Sequence, residues 1–521
     1  MKNFVNIVNF VRSYDKRENL DLVKPVEGEL EIMRKHNLPG TFLLQYDAAI
    51  SEPYMSMMKE NMDLCEIGLW FEVVQPLVEA IGLEWKGRFP VWDWYCNVGS
   101  PMGYPTDVRE KLIDECMNKF REIYGAYPKS VGAWQMDAFS MRCFSEKYGV
   151  KACCICRDQL ETDFYTLGGG YYNQAYYPSV NNMLCPAAGK ETQINMPVFR
   201  MLGNDAIYAY DFKNRGYGIV NSVPTLELCG TGSNEKWVNW FFSETFGGNG
   251  LSFQYAQAGQ ENSMGWHRIG KGFAYQAELM SKLRAEGKIE VKTLCECGEW
   301  YLENFDITPA STMTALSDWQ EEDRKSVWYS SRYYRANLFW EKGKAFFRDI
   351  YLFDDSFKEK YLESVCEAPD CENRNLPVFD GVIYGRNTII PGIYMRSGDE
   401  DIVFDDFEYR EENGLAFAKL IKGENYVLVK FTDAALEIET NIENLVMHPL
   451  YDRARVYGEY KGELEPFDIT YITAANAGEK ELSFIFDGKK YKVVAETGHF
   501  NPDFSATPEN GKLVVKFDKR G

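Results

Sequence analysis

Carboxylates dominate the residues that could do chemistry in this sequence, and several stand directly behind apolar runs. Glu72 follows "CEIGLWF", Asp137 follows "SVGAWQM", Asp158 follows "ACCICR" and Glu261 follows "LSFQYAQAGQ". Two carboxylates facing each other across a pocket, one protonated and one ionised, are the groups that cleavage of a glycosidic bond requires. Other chemistries find less material. The four histidines, His36, His267, His448 and His499, include no pair at zinc spacing, and "CEC" and "CEAPDC" lack a second matching pair. No GxSxG elbow, Walker loop or GxGxxG follows a strand, so the sequence points to no cofactor and no metal.

The elements that would hold these acids alternate in type. Strand-like runs at 6–12, 41–47, 66–72, 130–137 and 151–158 are separated by helical patterns at 23–36, 106–124 and 138–148. Further on, "INMPVFRML" and "GLSFQYAQAG" read as strands, "NEKWVNWFFSETF" and "GKGFAYQAELMSKLRAEGK" as helices, and "IEVKTLCECGEWYLEN" as strand into helix. Such alternation predicts a parallel sheet, and seven or eight units predict a barrel. From about residue 306 the pattern becomes strand alternation with turn residues, as in "GENYVLVKFTDAALEIET" and "GKLVVKFDKR". The expected fold is therefore α/β: a distorted (β/α)7-8 barrel over 1–305, then a mainly antiparallel β domain over 306–521.

Composition narrows the partners. The chain has 521 residues, 45% hydrophobic and 26% charged, as in globular proteins. A net charge of -21, from 57 basic and 78 acidic residues, argues against nucleic acid and anionic membranes, which need clustered cations. The start, "MKNFVNIVNFVRSYD", reads as a strand and lacks the features of a signal peptide. The thirteen cysteines, scattered through apolar runs, read as reduced core thiols, which favours the cytoplasm. A homo-oligomer is left open. Aromatics reach 15% and stand beside polar groups in "FPVWDWYCN" and "GGGYYNQAYYP", a mixture that suits either a carbohydrate or a large core.

In a parallel barrel, functional groups gather behind the carboxyl ends of the strands. That rule selects Arg12, Asp15, Asp47, Glu72, Gln75, Asp137, Asp158, Arg200, Asp205, Gln254, Gln257, Glu261 and Glu296. So many acids cannot all stay ionised together; some pair with Arg12 or Arg200, or hold raised pKa values. Each has a plainer role open to it. Asp137 could cap the helix that begins at Ala138, Asp158 and Asp205 could make ion pairs or turns, and Glu72 could be a solvated rim residue.

Four segments resemble the glycoside hydrolase/deacetylase superfamily, whose (β/α)7 barrel serves polysaccharide deacetylases and glycoside hydrolase families 38 and 57. "HNLPGTFLLQYD" resembles its second strand, "CEIGLWFEVVQP" the deacetylase HEIGxHxxxHP segment, "GAWQMDAFSM" the Trp-x-x-Asp-Pro-Phe segment of family 38, and "KTLCECGEWYLE" the closing strand and helix. Trp70 and Val74 replace the deacetylase metal histidines, and Ala138 replaces the family 38 proline. The resemblance thus implies a metal-independent glycosidase with Asp137 as nucleophile and Glu261 as general acid and base, Glu72 and Asp158 in reserve. Arg12, Arg200, Gln254 and Gln257 would hold substrate hydroxyls or the nucleophile, and Trp70, Trp134 and Tyr255 would line the sugar site. The alternatives are a non-catalytic carbohydrate-binding protein on a degenerate barrel and a polysaccharide deacetylase-like hydrolase.

Overall fold

The computed structural model describes all residues except 18–19, 202–204, 212–232, 383, 385–389, 452–471 and 519–521. Leu202, Lys519 and Arg520, which fall in expected strands, lie outside the described residues.

Eight strands run parallel in one sheet: β1 (Lys2–Val11), β2 (Gly40–Leu44), β3 (Cys65–Trp70), β4 (Ser130–Ala133), β5 (Ala152–Ile155), β6 (Val198–Arg200), β7 (Phe253–Ala258) and β8 (Glu290–Lys292). The ladder runs β7-β1-β2-β3-β4-β5-β6, and β8 pairs with β1 over Phe4 to Asn6. The side-chain period of two sorts β1 into two faces. Phe4, Val8 and Phe10 fill the barrel interior with Tyr255 and Phe199. Val5, Ile7 and Val11 face the helices α1 (Val23–His36) and α5 (Trp266–Ala285).

Between β6 and β7 the ladder is open, and the barrel is distorted there. Side chains span the gap: Gln174 donates to Gln254 (3.3 Å) and Asn173 to the Tyr255 carbonyl (3.4 Å). The last helix of this half, Leu294–Asn304, starts on a full capping box of Thr293 and Glu296 and plugs the barrel floor with Leu294, Cys297 and Tyr301. Glu296, one of the acids picked out behind a strand, is thus a cap. The helix Thr106–Tyr124 starts with Pro105 in the N-cap position, and no side chain caps it.

The two large sheets built from Ser311 onward are antiparallel. One ten-stranded sheet begins Ser311–Ala315, Arg324–Ser330, Tyr334–Glu341, Lys344–Leu352, and an eight-stranded sheet contains Asp406–Glu412, Leu415–Lys422 and Asn425–Phe431. In Leu415–Lys422 only alternate residues, Ala416, Ala418 and Leu420, are fully buried, so this sheet has one dry face. The halves interlock, because Cys371–Arg374 pairs in parallel with Tyr165–Gly168 from the first half.

A buried ionic network ties the halves together. Asp158, behind β5, pairs with Arg200 (2.9 Å) and with Arg335, whose guanidinium also grips Asp349 (2.8 Å). Burial alone would raise the Asp158 pKa, but Arg335 and Arg200 outweigh it and hold the carboxyl at about 2. Arg335→Met would leave both acids short of a partner, at a cost of about 3–5 kcal/mol in urea unfolding. An unchanged midpoint would show the network to be dispensable.

Glu29 is the opposite case. It is 0% exposed on α1, and neither carboxylate oxygen has a partner. Desolvation pushes its pKa well above the usual range. The folded state therefore binds this proton more tightly than the unfolded chain, so stability is full below the unfolded pKa and falls as pH rises through the folded one. Glu29→Gln should raise the free energy of unfolding at pH 8 by on the order of 1 kcal/mol and do little at pH 4. Thermal melts of both proteins at the two pH values check this.

Candidate functional site

The carboxyl ends of β1, β2, β3 and β7 bring four polar residues together. Arg12 follows β1, Gln45 follows β2, Glu72 lies two residues past β3, and Glu261 lies three past β7. Two glycines allow the approach. At Gly259 (φ 105°) a Cβ would sit 2.1 Å from the Val8 carbonyl, so only glycine lets the chain turn in toward Glu261. At Gly132 a Cβ would meet the Cys154 sulfur at 2.7 Å and Trp70 at 3.1 Å, closing the space beneath the site.

One guanidinium nitrogen organises the acids. Arg12 Nη2 lies 3.4 Å from Glu72 Oε2 and 3.1 Å from Glu261 Oε2, so these two oxygens are at most 6.5 Å apart. Glu72 Oε2 also accepts from Gln45 Nε2 (2.7 Å) and Trp70 Nε1 (2.8 Å). Its other oxygen, Oε1, takes none of these bonds. Desolvation outweighs Arg12 and the Trp70 hydrogen bond and lifts the Glu72 pKa to about 7. Glu261 is anchored differently: Oε1 accepts from the Ser263 hydroxyl, and Oε2 faces Arg12. The arrangement can present a carboxyl that is half protonated at neutral pH beside one paired to a fixed cation.

Glu72 opens into a narrow cleft whose walls include Trp92, Trp94, Trp134, Gln135 and Asp163. Cations stack on its rings: the Arg12 guanidinium lies 4.2 Å from the Trp92 ring centre, and Lys16 Nζ covers Trp94. The Trp92 indole N–H has no hydrogen-bond partner although the residue is only 8% exposed. A buried donor left unpaired is costly, and an acceptor on a bound ligand would satisfy it.

Of the residues expected from sequence, Arg12, Glu72, Glu261 and Trp134 come together here. Trp70 is 1% exposed, and its expected place on the substrate surface is corrected: its ring packs on Phe10 and Trp134 inside the barrel while its N–H holds Glu72. Tyr255 and Gln257 also lie in the barrel interior, bonded to each other (3.2 Å), and Gln254 donates to the Thr312 carbonyl (3.3 Å). None of these three lines the cleft. Asp158 and Arg200 belong to the network between the halves described above, because two arginines converge on that carboxylate.

Asp137 also lies elsewhere. It is 0% exposed and is the N-cap of Ala138–Tyr148: Oδ1 accepts from the Ser140 N–H (3.0 Å) and from Arg109 (3.1 Å), Oδ2 from the Ser140 hydroxyl (2.7 Å). The nucleophile expectation gives way to the capping one, since three donors and full burial leave this carboxylate no open face. Gln45, Trp92, Trp94 and Asp163 were not singled out from the sequence. The aromatic run "FPVWDWYCN" carried the signal for the two tryptophans, whereas nothing local marks Gln45 or Asp163.

Among the described residues no three His, Cys, Asp or Glu side chains converge as a metal ligand set. Nor is any helix among them long and apolar enough to cross a membrane.

Comparison with known proteins places the fold. No family model and no curated protein matches the chain. A solved structure from Parabacteroides distasonis, described as a "putative glycoside hydrolase/deacetylase", superposes with a TM-score of 0.54 at 16% identity, over 72% of this chain and 90% of that one. The chain therefore shares the fold of that structure over most of its length. A 4-alpha-glucanotransferase from Thermococcus litoralis (10% identity, 99% and 97% covered, TM-score 0.28) and a GH57 branching enzyme from Thermococcus kodakaraensis (9%, 58% and 71%, 0.32) superpose too loosely to say more.

Proposed function

We propose that this chain is a carbohydrate-active hydrolase, a glycosidase that works by two carboxylates without a metal, Glu72 and Glu261 forming the pair. The observation that carries the reading is the pairing of both acids with one Arg12 nitrogen, Glu72 itself lining a tryptophan-walled cleft. Glu72, near half-protonation at neutral pH, is the general acid: it gives its proton to the leaving oxygen as the glycosidic bond breaks. Glu261 attacks the anomeric carbon, and Arg12, 3.1 Å from its Oε2, fixes where that carboxylate stands. Trp92, Trp94 and Trp134 wall the cleft with apolar ring surface against which the C–H groups of a sugar pack. An oxygen spacing of at most 6.5 Å favours direct attack over an interposed water, hence retention of configuration.

A panel of chromogenic glycosides tests the reading. The wild type should turn over at least one member, and Glu72→Gln and Glu261→Gln should each lose that turnover. The first product anomer seen by NMR should keep the configuration of the substrate. Full activity in both variants would sink the proposal, and an inverted product would replace Glu261 as nucleophile with Glu261 as base.

A further inference from the structure

The cleft wall that carries Trp92 and Trp94 continues into Cys96, and Cys96 meets a second sulfur from far along the chain. Cys371 Sγ lies 3.0 Å from Cys96 Sγ, and Gln135 Nε2 reaches both sulfurs, at 3.3 Å to Cys96 and 3.2 Å to Cys371. All the described cysteines are free thiols. The backbone holds the two segments in register. Cys96 N–H donates to the Pro369 carbonyl (2.7 Å), Cys371 N–H to the Phe164 carbonyl (2.9 Å), and Cys366 N–H to the Met102 carbonyl (2.8 Å). Cys96 is also one of the residues lining the cleft, which puts it beside the route of a small solute.

We propose that Cys96 and Cys371 are a dithiol/disulfide couple, whose oxidised form covalently fastens the tryptophan wall of the cleft to the C-terminal half of the chain. A bond needs the sulfurs to close by about 1 Å, since an S–S bond is roughly 2.05 Å long. Neighbouring backbone bonds already fix both segments, so the closure is a side-chain movement.

The oxidant we name is a peroxide entering by the cleft. Cys96 sulfur attacks one peroxide oxygen, the O–O bond breaks, and with one proton from the thiol the first water leaves, giving a sulfenic acid. Cys371 sulfur then attacks the Cys96 sulfur; the S–S bond forms, the S–O bond breaks, and the second water departs with the Cys371 proton. Two thiols supply the two electrons that reduce one peroxide to two waters. A dithiol such as dithiothreitol reverses the change by exchange. Cys366 is the competing partner: a hydrogen bond from Cys371 brings its thiol down to about 7.

The couple stands independently of the glycosidase reading, because its test needs no substrate. Reduced protein is treated with hydrogen peroxide, acid-quenched, unfolded, alkylated and mapped by mass spectrometry. The expected result is a Cys96–Cys371 linked peptide that dithiothreitol removes, with a midpoint for the oxidised protein about 5 °C or more above the reduced one. Cys366→Ser should still form the link, and Cys96→Ser should show neither the link nor the shift. A Cys366–Cys371 link, or peroxide-treated wild type with Cys96 and Cys371 both alkylated, would overturn the proposal. The wild-type map decides even where a variant fails to fold.

Discussion

Glu72→Gln lowers kcat/KM on any glycoside the protein turns over by about 10²–10⁴-fold, the usual worth of a positioned general acid. Its pH profile changes as well. In the wild type, activity declines as pH rises through about 7, where Glu72 gives up its proton. Glutamine has no proton to lose there, so the residual activity of the variant is flat across that range. Stability depends on the same proton. Because the folded-state pKa of Glu72 lies above the unfolded one, its contribution is full below the unfolded value and is lost as pH rises through about 7. Gln keeps an acceptor for Trp70 and Gln45 without the buried charge, so the variant should melt no lower than wild type at pH 8. Loss of activity together with equal or greater stability separates an active-site acid from a structural one. An active variant with an unchanged alkaline limb would remove Glu72 from the mechanism.

Asp137→Ala has the second large effect, on stability alone. It removes the N-cap of Ala138–Tyr148 and leaves Arg109, itself 0% exposed, without its carboxylate. A broken buried pair costs about 3–5 kcal/mol, of which the lost cap is about 1. Asp137→Asn retains the shape and an acceptor for Ser140, so it should lose less, but the Arg109 charge stays uncompensated. The measurement is denaturant unfolding, alongside activity per folded molecule. That activity should be close to wild type in Asp137→Asn, since Asp137 does not reach the cleft. A folded but inactive Asp137→Asn would restore the nucleophile role inferred from the sequence.

The alternation of strands and helices in the first half was legible in the sequence, although the short strands between Tyr165 and Pro186 were not. Val26, Leu30 and Met33 recur at helical spacing, so Val23–His36 is a helix in pattern and in structure, ended by Asn37 in the left-handed region at φ 50°. Period-two runs such as Leu415–Lys422 likewise mark their own strands and dry face. Strand ends were legible too, and so were Arg12, Glu72 and Glu261 as residues behind them. The tertiary structure alone decided which acids meet. Asp137, Asp158, Glu72 and Glu261 stand in the same local position, yet Arg109 and Ser140 claim the first, and Arg200 and Arg335 the second. Only Glu72 and Glu261 share Arg12. A local pattern fixes which way a side chain leaves its strand, because that follows from the two-residue period. It cannot fix the partner across the barrel: Arg12 reaches Glu72 over 60 residues of chain and Asn262 over 250, and such contacts settle whether a carboxylate is paired or open to a ligand.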